Sequence, residues 1–169
     1  MPNVNIQSIK KGNTEVVSTA PNDFALVYGG KQYMYEDFDT KESLQQLDEQ
    51  IAIAEGDVIC TGLGFLLREA ALLKKKEVKS ITVIEINQDV IDIQNELNPK
   101  IMNQLNVICA DADTYKGECD TLLLDHWADP CFETETAEGY YNKVKKRVES
   151  ICKNIKHKKM AFWPSKEMI

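Results

Sequence analysis

No stretch of this chain approaches the ~20 consecutive apolar residues that a membrane-crossing helix requires, so no membrane partner is expected. Histidine is scarce: only His126 and His157 occur, far apart in sequence. The five cysteines, Cys60, Cys109, Cys119, Cys131 and Cys152, include no C-x-x-C pair, and a structural zinc site needs tighter ligand pairing than this. No metal is therefore expected. The odd cysteine count and the lack of a signal peptide point to a reducing, cytoplasmic setting. Cys60 and Cys109 sit in apolar runs, where cysteine acts as a small hydrophobe. Positive charge is also short, with 20 Lys and Arg against 27 Asp and Glu and a net charge of -7. Such a surface repels a phosphate backbone, so no nucleic-acid partner is expected. The two lysine clusters, Lys74-Lys75-Lys76 and Lys153, Lys156, Lys158 and Lys159, fall at expected helix ends, where cations complement the helix dipole.

What is present is an ordinary globular composition, 43% hydrophobic and 28% charged over 169 residues. A chain of that size can bury a continuous core without disulfides or metals. Residues 1–22 are polar, with Pro2, Gly12 and Pro21, and are expected to be loosely ordered or to add one small strand. Two β-prone runs, Phe24-Ala25-Leu26-Val27-Tyr28 and Lys31-Gln32-Tyr33-Met34-Tyr35, flank Gly29-Gly30 and predict a hairpin. The expected division is an N-terminal segment with this hairpin over 1–39 and a Rossmann-like domain over 40–169.

From there the pattern alternates. Asp39 or Thr40 can cap a helix over 41–52 whose Leu44, Leu47 and Ile51 keep helical spacing, with Glu55-Gly56-Asp57 ending it. Apolar runs at 58–60, 80–86, 106–110, 121–124 and 159–163 read as strands buried on both faces. Helices are expected from Gly62 to about 75, over 88–97 and over 134–156. The fold class is α/β: an open, mostly parallel sheet of about five strands with helices on both faces, because parallel strands need crossovers.

Open parallel sheets bind ligands beyond the carboxyl ends of their strands. The first end, Thr61-Gly62-Leu63-Gly64-Phe65, suits a close backbone approach. The third glycine of the dinucleotide pattern is replaced by Leu67, which favours a nucleoside without a pyrophosphate. Glu85, 23 residues after Gly62, tips an apolar strand and suits hydrogen bonding to ribose hydroxyls. A buried acid there requires a partner, either a ligand or a cap. Asp111, in Ala110-Asp111-Ala112-Asp113, could accept from an exocyclic amine. The run Leu124-Asp125-His126-Trp127-Ala128-Asp129-Pro130 places carboxylates, an imidazole and an indole in one loop above the sheet. Each end also has a local reading: a plain strand–helix turn, a cap from Glu85 or Asn87, an acidic turn, and Asp125 capping a turn while Trp127 packs on the sheet edge.

Together these ends resemble the class I S-adenosylmethionine-dependent methyltransferases, whose first motif is similar to Val58-Ile59-Cys60-Thr61-Gly62-Leu63-Gly64. The resemblance runs from about residue 40 to the last residue. It implies an enzyme that holds S-adenosylmethionine with Thr61, Gly62, Gly64, Glu85, Asp111 and Ala112, Glu85 on the ribose and Asp111 near the adenine amine. It further implies methyl transfer to a small-molecule acceptor, with Asp125 or His126 as the base. Features of the spermidine synthase-like group appear in Gly29-Gly30-Lys31-Gln32, Arg68-Glu69, the run 83–91, Asp125 with Asp129-Pro130, and Phe132, Tyr140 and Tyr141. That likeness implies aminopropyl transfer with Asp125 as base and an acidic pocket of Asp125, Asp129 and Glu133. The loop has one residue more between its aspartates than that group, and Leu63 and Phe65 replace its acidic glycine turn. A Leu-Asp-His-Trp run is similar to the catechol-type O-methyltransferases, but Ala128 stands where they carry a catalytic lysine and Phe162-Trp163-Pro164 where they carry metal ligands. The family usually adds two further strands after the fifth. Their lack here implies an open site, a site completed by a partner subunit, or a nucleoside-binding module without catalysis. Open sheet edges favour a homodimer.

Overall fold

The N-terminal residues form more sheet than their polar composition suggests. The structure is a computed structural model in which residues 4–20, 23–37, 41–126 and 136–163 are described. Strands β1 (Ile9–Lys11), β2 (Thr14–Ala20), β3 (Asp23–Tyr28) and β4 (Lys31–Asp37) pair in that order as an antiparallel sheet. The β3–β4 hairpin turns at Gly29 and Gly30, whose φ angles of 56° and 79° satisfy a two-residue turn that requires positive φ at both positions. A second hairpin, β1–β2, precedes it where the composition predicts one small strand at most. It is held by a tertiary contact: Val16 is fully buried with Leu26, Phe65, Ile93 and Leu97, so a strand with few apolar residues still finds a core.

Next come α1 (Lys41–Ile53), β5 (Gly56–Thr61), α2 (Leu67–Leu72), β6 (Val78–Glu85), α3 (Gln88–Leu97) and α4 (Pro99–Met102). They are followed by β7 (Asn106–Cys109), β8 (Gly117–Glu118), β9 (Thr121–Leu124), α5 (Ala137–Asn154), β10 (Ile155–Lys156) and β11 (Lys159–Phe162). Five strands form one parallel sheet in the order β11-β9-β5-β6-β7, as the alternating pattern predicts. Strand order reverses between β5 and β9, which puts the ligand crevice of such sheets above Thr61 and Leu124.

Side chains alternate across the sheet. Val58, Cys60, Ile81, Val83 and Leu123 bury one face with Leu66, Leu72 and Val90. Ile59, Ile84, Leu122 and Leu124 bury the other with Val144, Val148 and Ile151 of α5, which recur at helical spacing. Each of these larger apolar side chains contributes about 1.5–3 kcal/mol on burial.

Local differences from the sequence pattern have physical causes. The helix after the glycine turn is short, because Leu63 and Leu66 dive into the core and Leu66 takes a left-handed φ of 65° before α2 begins. Gly56 already belongs to β5 rather than ending α1. The α1 terminus is instead capped by Lys75, whose Nζ donates to Ile51 O at 2.7 Å and Ala52 O at 2.8 Å. β8 and β10 form a two-residue parallel pair too short to leave a sequence pattern. Among the described residues no helix is long and apolar enough to cross a membrane.

Candidate functional site

The register aligns Thr61 with Ile84 and Leu124, and Glu85 with Cys109, so Gly62, Glu85, Asp111 and Asp125 share one edge of the sheet. Gly62 has φ 76°, and its N–H donates to Ile84 O at 2.9 Å. A Cβ at this position would overlap the Asp125 carbonyl oxygen and lie 3.1 Å from His126 Cα, so the first and fourth strand ends touch through a glycine.

Glu85 is nearly buried and finds partners in the backbone. Leu63 N donates to its Oε2 and Asn87 N to its Oε1, both at 2.8 Å. Burial pushes its carboxyl up from the usual range, against the pull of the Leu63, Asn87 and Ile86 amides, and nearby Glu69 pushes the same way. No ion pair to Glu85 forms among the described residues. A carboxylate offers about four acceptor positions, so these amides do not exhaust it. Beside it Ile86 is an apolar side chain that is 68% exposed.

Below the glycine turn lies a buried ion pair. Arg68 donates from Nε and Nη2 to Glu69 Oε1 at 2.9 and 2.7 Å, and its Nη2 also donates to Thr61 O and Gly62 O at 3.2 and 2.7 Å. Burial works against the Arg68 charge, but Glu69, Cys60 and Asp125 outweigh it and hold the guanidinium protonated. The sequence marks Arg68 only through a family likeness; its clamp on the turn follows from α2 folding back over β5.

Asp125 and His126 are held by Thr61, which is fully buried. Asp125 N donates to Thr61 Oγ1 at 3.1 Å, and His126 Nδ1 lies 2.7 Å from the same oxygen. His126 Nε2 lies 3.3 Å from Asp113 Oδ1, while Arg147 donates from Nε and Nη2 to Asp113 Oδ2 at 3.1 and 2.8 Å. Burial lowers the His126 pKa, and Asp113 only partly restores it, so the imidazole favours its neutral form. Asp113 resists the upward push of burial because the Arg147 and His126 hydrogen bonds hold its carboxyl below the usual range. Asp111 Oδ1 accepts from Asp113 N at 2.9 Å, as an acidic turn does. Ala112 is buried in the α5-side core. Of the expected residues, then, Thr61, Gly62, Glu85, Asp125 and His126 are brought together around β5. Gly64 reaches α3 through its carbonyl, which accepts from Gln94 Nε2 at 2.7 Å. Arg147 carries no local signal, since it is one of many charged residues on α5 and lies 34 positions from Asp113. Trp127, Ala128, Asp129, Pro130, Cys131, Phe132, Glu133 and Pro164 lie outside the described residues. Among the described residues no group of three or more His, Cys, Asp or Glu side chains converges as metal ligands would.

No family model and no curated protein matches the sequence. Solved structures do match. A spermidine synthase in complex with the transition state analogue AdoDATO superposes with a TM-score of 0.54 and 12% identity, over 91% of this chain and 54% of that one. A spermidine synthase from Thermotoga maritima aligns with the same score and coverage at 14% identity. A proposed RNA methyltransferase from Pyrococcus horikoshii overlaps more loosely, with a TM-score of 0.45, 17% identity and coverage of 79% and 64%. This chain spans about half the length of the spermidine synthases it matches. The five-stranded parallel α/β fold is thus one that this chain shares with spermidine synthases.

Proposed function

We propose that this chain binds S-adenosylmethionine along the strand ends from Gly62 to Asp125 and directs methyl transfer from it to a small acceptor. The observation that carries the reading is Glu85: a desolvated carboxylate at the crevice edge, oriented by two backbone amides and matched to no cation among the described residues. Ionisable groups held in that way are characteristic of ligand sites. The neighbouring fold supports the ligand class, because a spermidine synthase of this fold is found in complex with the transition state analogue AdoDATO.

In this reading Glu85 accepts from the ribose hydroxyls and Asp111 from the adenine amine, with exposed Ile86 offering the base an apolar surface. Gly62 lets the Asp125 backbone close on the turn, Gly64 leaves the turn without a side chain, and Ala112 backs the site from the core. Held by these residues, S-adenosylmethionine would supply an electrophilic methyl carbon on sulfur, open to the acceptor's lone pair. Asp125 receives the proton the acceptor loses, and Thr61 fixes the Asp125 backbone for this task. His126 has Thr61 and Asp113 within reach of its two ring nitrogens and holds the loop in register.

Aminopropyl transfer is the second reading, favoured by the spermidine synthase superposition over 91% of this chain. The cytoplasm is the proposed setting, consistent with thiol cysteines at 60, 109, 119 and 152. Calorimetric titration with S-adenosylmethionine and its decarboxylated form separates these readings, with Glu85→Gln as the control. Preference for the first ligand, weakened about tenfold or more in the variant by a lost charge-assisted bond, supports the methyltransferase site. Preference for the decarboxylated form moves the assignment to aminopropyl transfer. Binding without turnover of any acceptor leaves a nucleoside-binding module, and no binding of either ligand refutes the proposal.

A further inference from the structure

Two chains of hydrogen bonds leave the candidate site, and both end in the N-terminal segment. One starts at the glycine turn. Gln94 Nε2 donates to Gly64 O at 2.7 Å, and Gln94 Oε1 accepts from Asn98 Nδ2 at 2.8 Å. Asn98 Nδ2 also donates to Asn5 O at 2.9 Å, and Asn5 N donates back to Asn98 Oδ1 at 2.7 Å. The other starts at Glu85. Asn87 N donates to Glu85 Oε1, and Asn87 Nδ2 donates to Thr14 Oγ1 at 2.9 Å. Thr14 Oγ1 in turn donates to Asp89 Oδ2 at 3.3 Å, the oxygen that also accepts from Asn13 N at 2.9 Å.

The links are buried where it matters. Thr14, Gln94, Asn98 and Glu85 all belong to the protein interior. Apolar residues would fill those volumes with less demand on geometry, whereas a buried polar chain fixes the distance and angle between the groups it joins. Removing Gln94 or Asn98 leaves the other's buried amide without a substitute, whereas Asn87 and Asp89 are half-buried and Asn5 is exposed. Both chains also cross α3, which carries Asn87 at its N-cap, Gln94 within it and Asn98 at its C-cap.

We propose that the N-terminal segment positions the ligand site: Thr14, acting through Asn87, orients Glu85, and Asn5, acting through Asn98 and Gln94, holds the glycine turn. Thr14 and Gln94 are positioning residues, and affinity for the adenosyl ligand is set in part from the N-terminal sheet. The ligand clause rests on the function proposed above; the positioning clause stands on the contacts alone.

The test is amide hydrogen exchange on the full chain, comparing wild type with Thr14→Val, Thr14→Ser and Gln94→Met. Thr14→Val keeps the side-chain shape and removes the oxygen. It is expected to speed exchange about tenfold at Leu63 and Asn87, the two amides bound to Glu85, with wild-type rates restored in Thr14→Ser. Gln94→Met is expected to act at the 62–66 turn and at Asn5. Acceleration confined to β1 and β2, or spread evenly over the whole chain as global loosening, overturns the proposal. Titration with S-adenosylmethionine then adds the affinity. Binding about tenfold weaker in Thr14→Val than in wild type supports control from the N-terminal sheet, and equal affinity overturns it. If wild type itself fails to bind, the proposed function falls, and the exchange rates at Leu63 and Asn87 still decide the positioning.

Discussion

Gly62 and Gly30 have almost the same φ, 76° and 79°, yet opposite surroundings. A Cβ on Gly30 meets nothing within 4 Å, whereas one on Gly62 overlaps the Asp125 carbonyl. Alanine at either position carries the left-handed penalty of about 1 kcal/mol. At Gly62 the obstacle is backbone, which cannot swing aside as a long side chain does, so the Asp125 loop has to move. That motion loosens the Asp125 N bond to Thr61 and the His126 contact with the same hydroxyl, each contributing about 1 kcal/mol net. Gly62→Ala is therefore expected to destabilise by about 3 kcal/mol and Gly30→Ala by about 1 kcal/mol. For a domain of this size each kcal/mol lowers the melting temperature by about 2–4 °C, so the expected drops are about 6–12 °C and about 2–4 °C. Thermal unfolding followed by circular dichroism, with urea midpoints as a check, measures both. Equal drops in the two variants would refute the close approach of the first and fourth strand ends, and with it the shape of the crevice.

His126 supplies a pH signature. Burial favours its neutral form, so its folded pKa lies below the ordinary 6.5 and the unfolded chain binds the proton more readily. The stability it contributes is complete above that ordinary value and is lost as pH falls through the lowered one. Melting curves between about pH 8 and pH 5 should therefore decline less steeply in His126→Gln than in wild type, and parallel declines would place the imidazole in solvent. Thiol labelling reads the sheet. Burial pushes the Cys60 thiol up to about 12 and the Cys119 thiol up to about 11, whereas Cys109 is exposed at the edge strand. Iodoacetamide followed by peptide mapping should find Cys109 modified well before Cys60 and Cys119, and simultaneous modification would mean that the α2 and α5 faces of the sheet are open.

Much of the fold is legible in residue order. Val58-Ile59-Cys60 and Leu122-Leu123-Leu124 declare strands buried on both faces because each side of a parallel sheet is covered by apolar side chains. Gly29-Gly30 declares a turn because few other residues reach those φ values. The strand-end polar residues mark a candidate site for a similar reason: Glu85 interrupts an apolar run in which an acid is costly. The first hairpin is less legible. Val16 is its fully buried apolar residue, and what buries it, Phe65 with Ile93 and Leu97, comes from the glycine turn and α3, far along the chain.

Sequence alone thus determined the order and type of most elements, the parallel sheet and the residues at its carboxyl edge, since each depends on a period of about two or 3.6 residues or on a local conformational requirement. Only the tertiary structure decided which polar atoms meet. Thr61 reaches His126 because β9 lies beside β5, His126 reaches Asp113 and Arg147 because α5 covers that face, and Glu85 reaches Thr14 through Asn87 because the N-terminal sheet docks on α3. Apart from the local bond of Asn87 N to Glu85, the hydrogen bonds in those encounters join residues 13 to 73 positions apart and follow from strand order and helix packing, for which no local pattern codes.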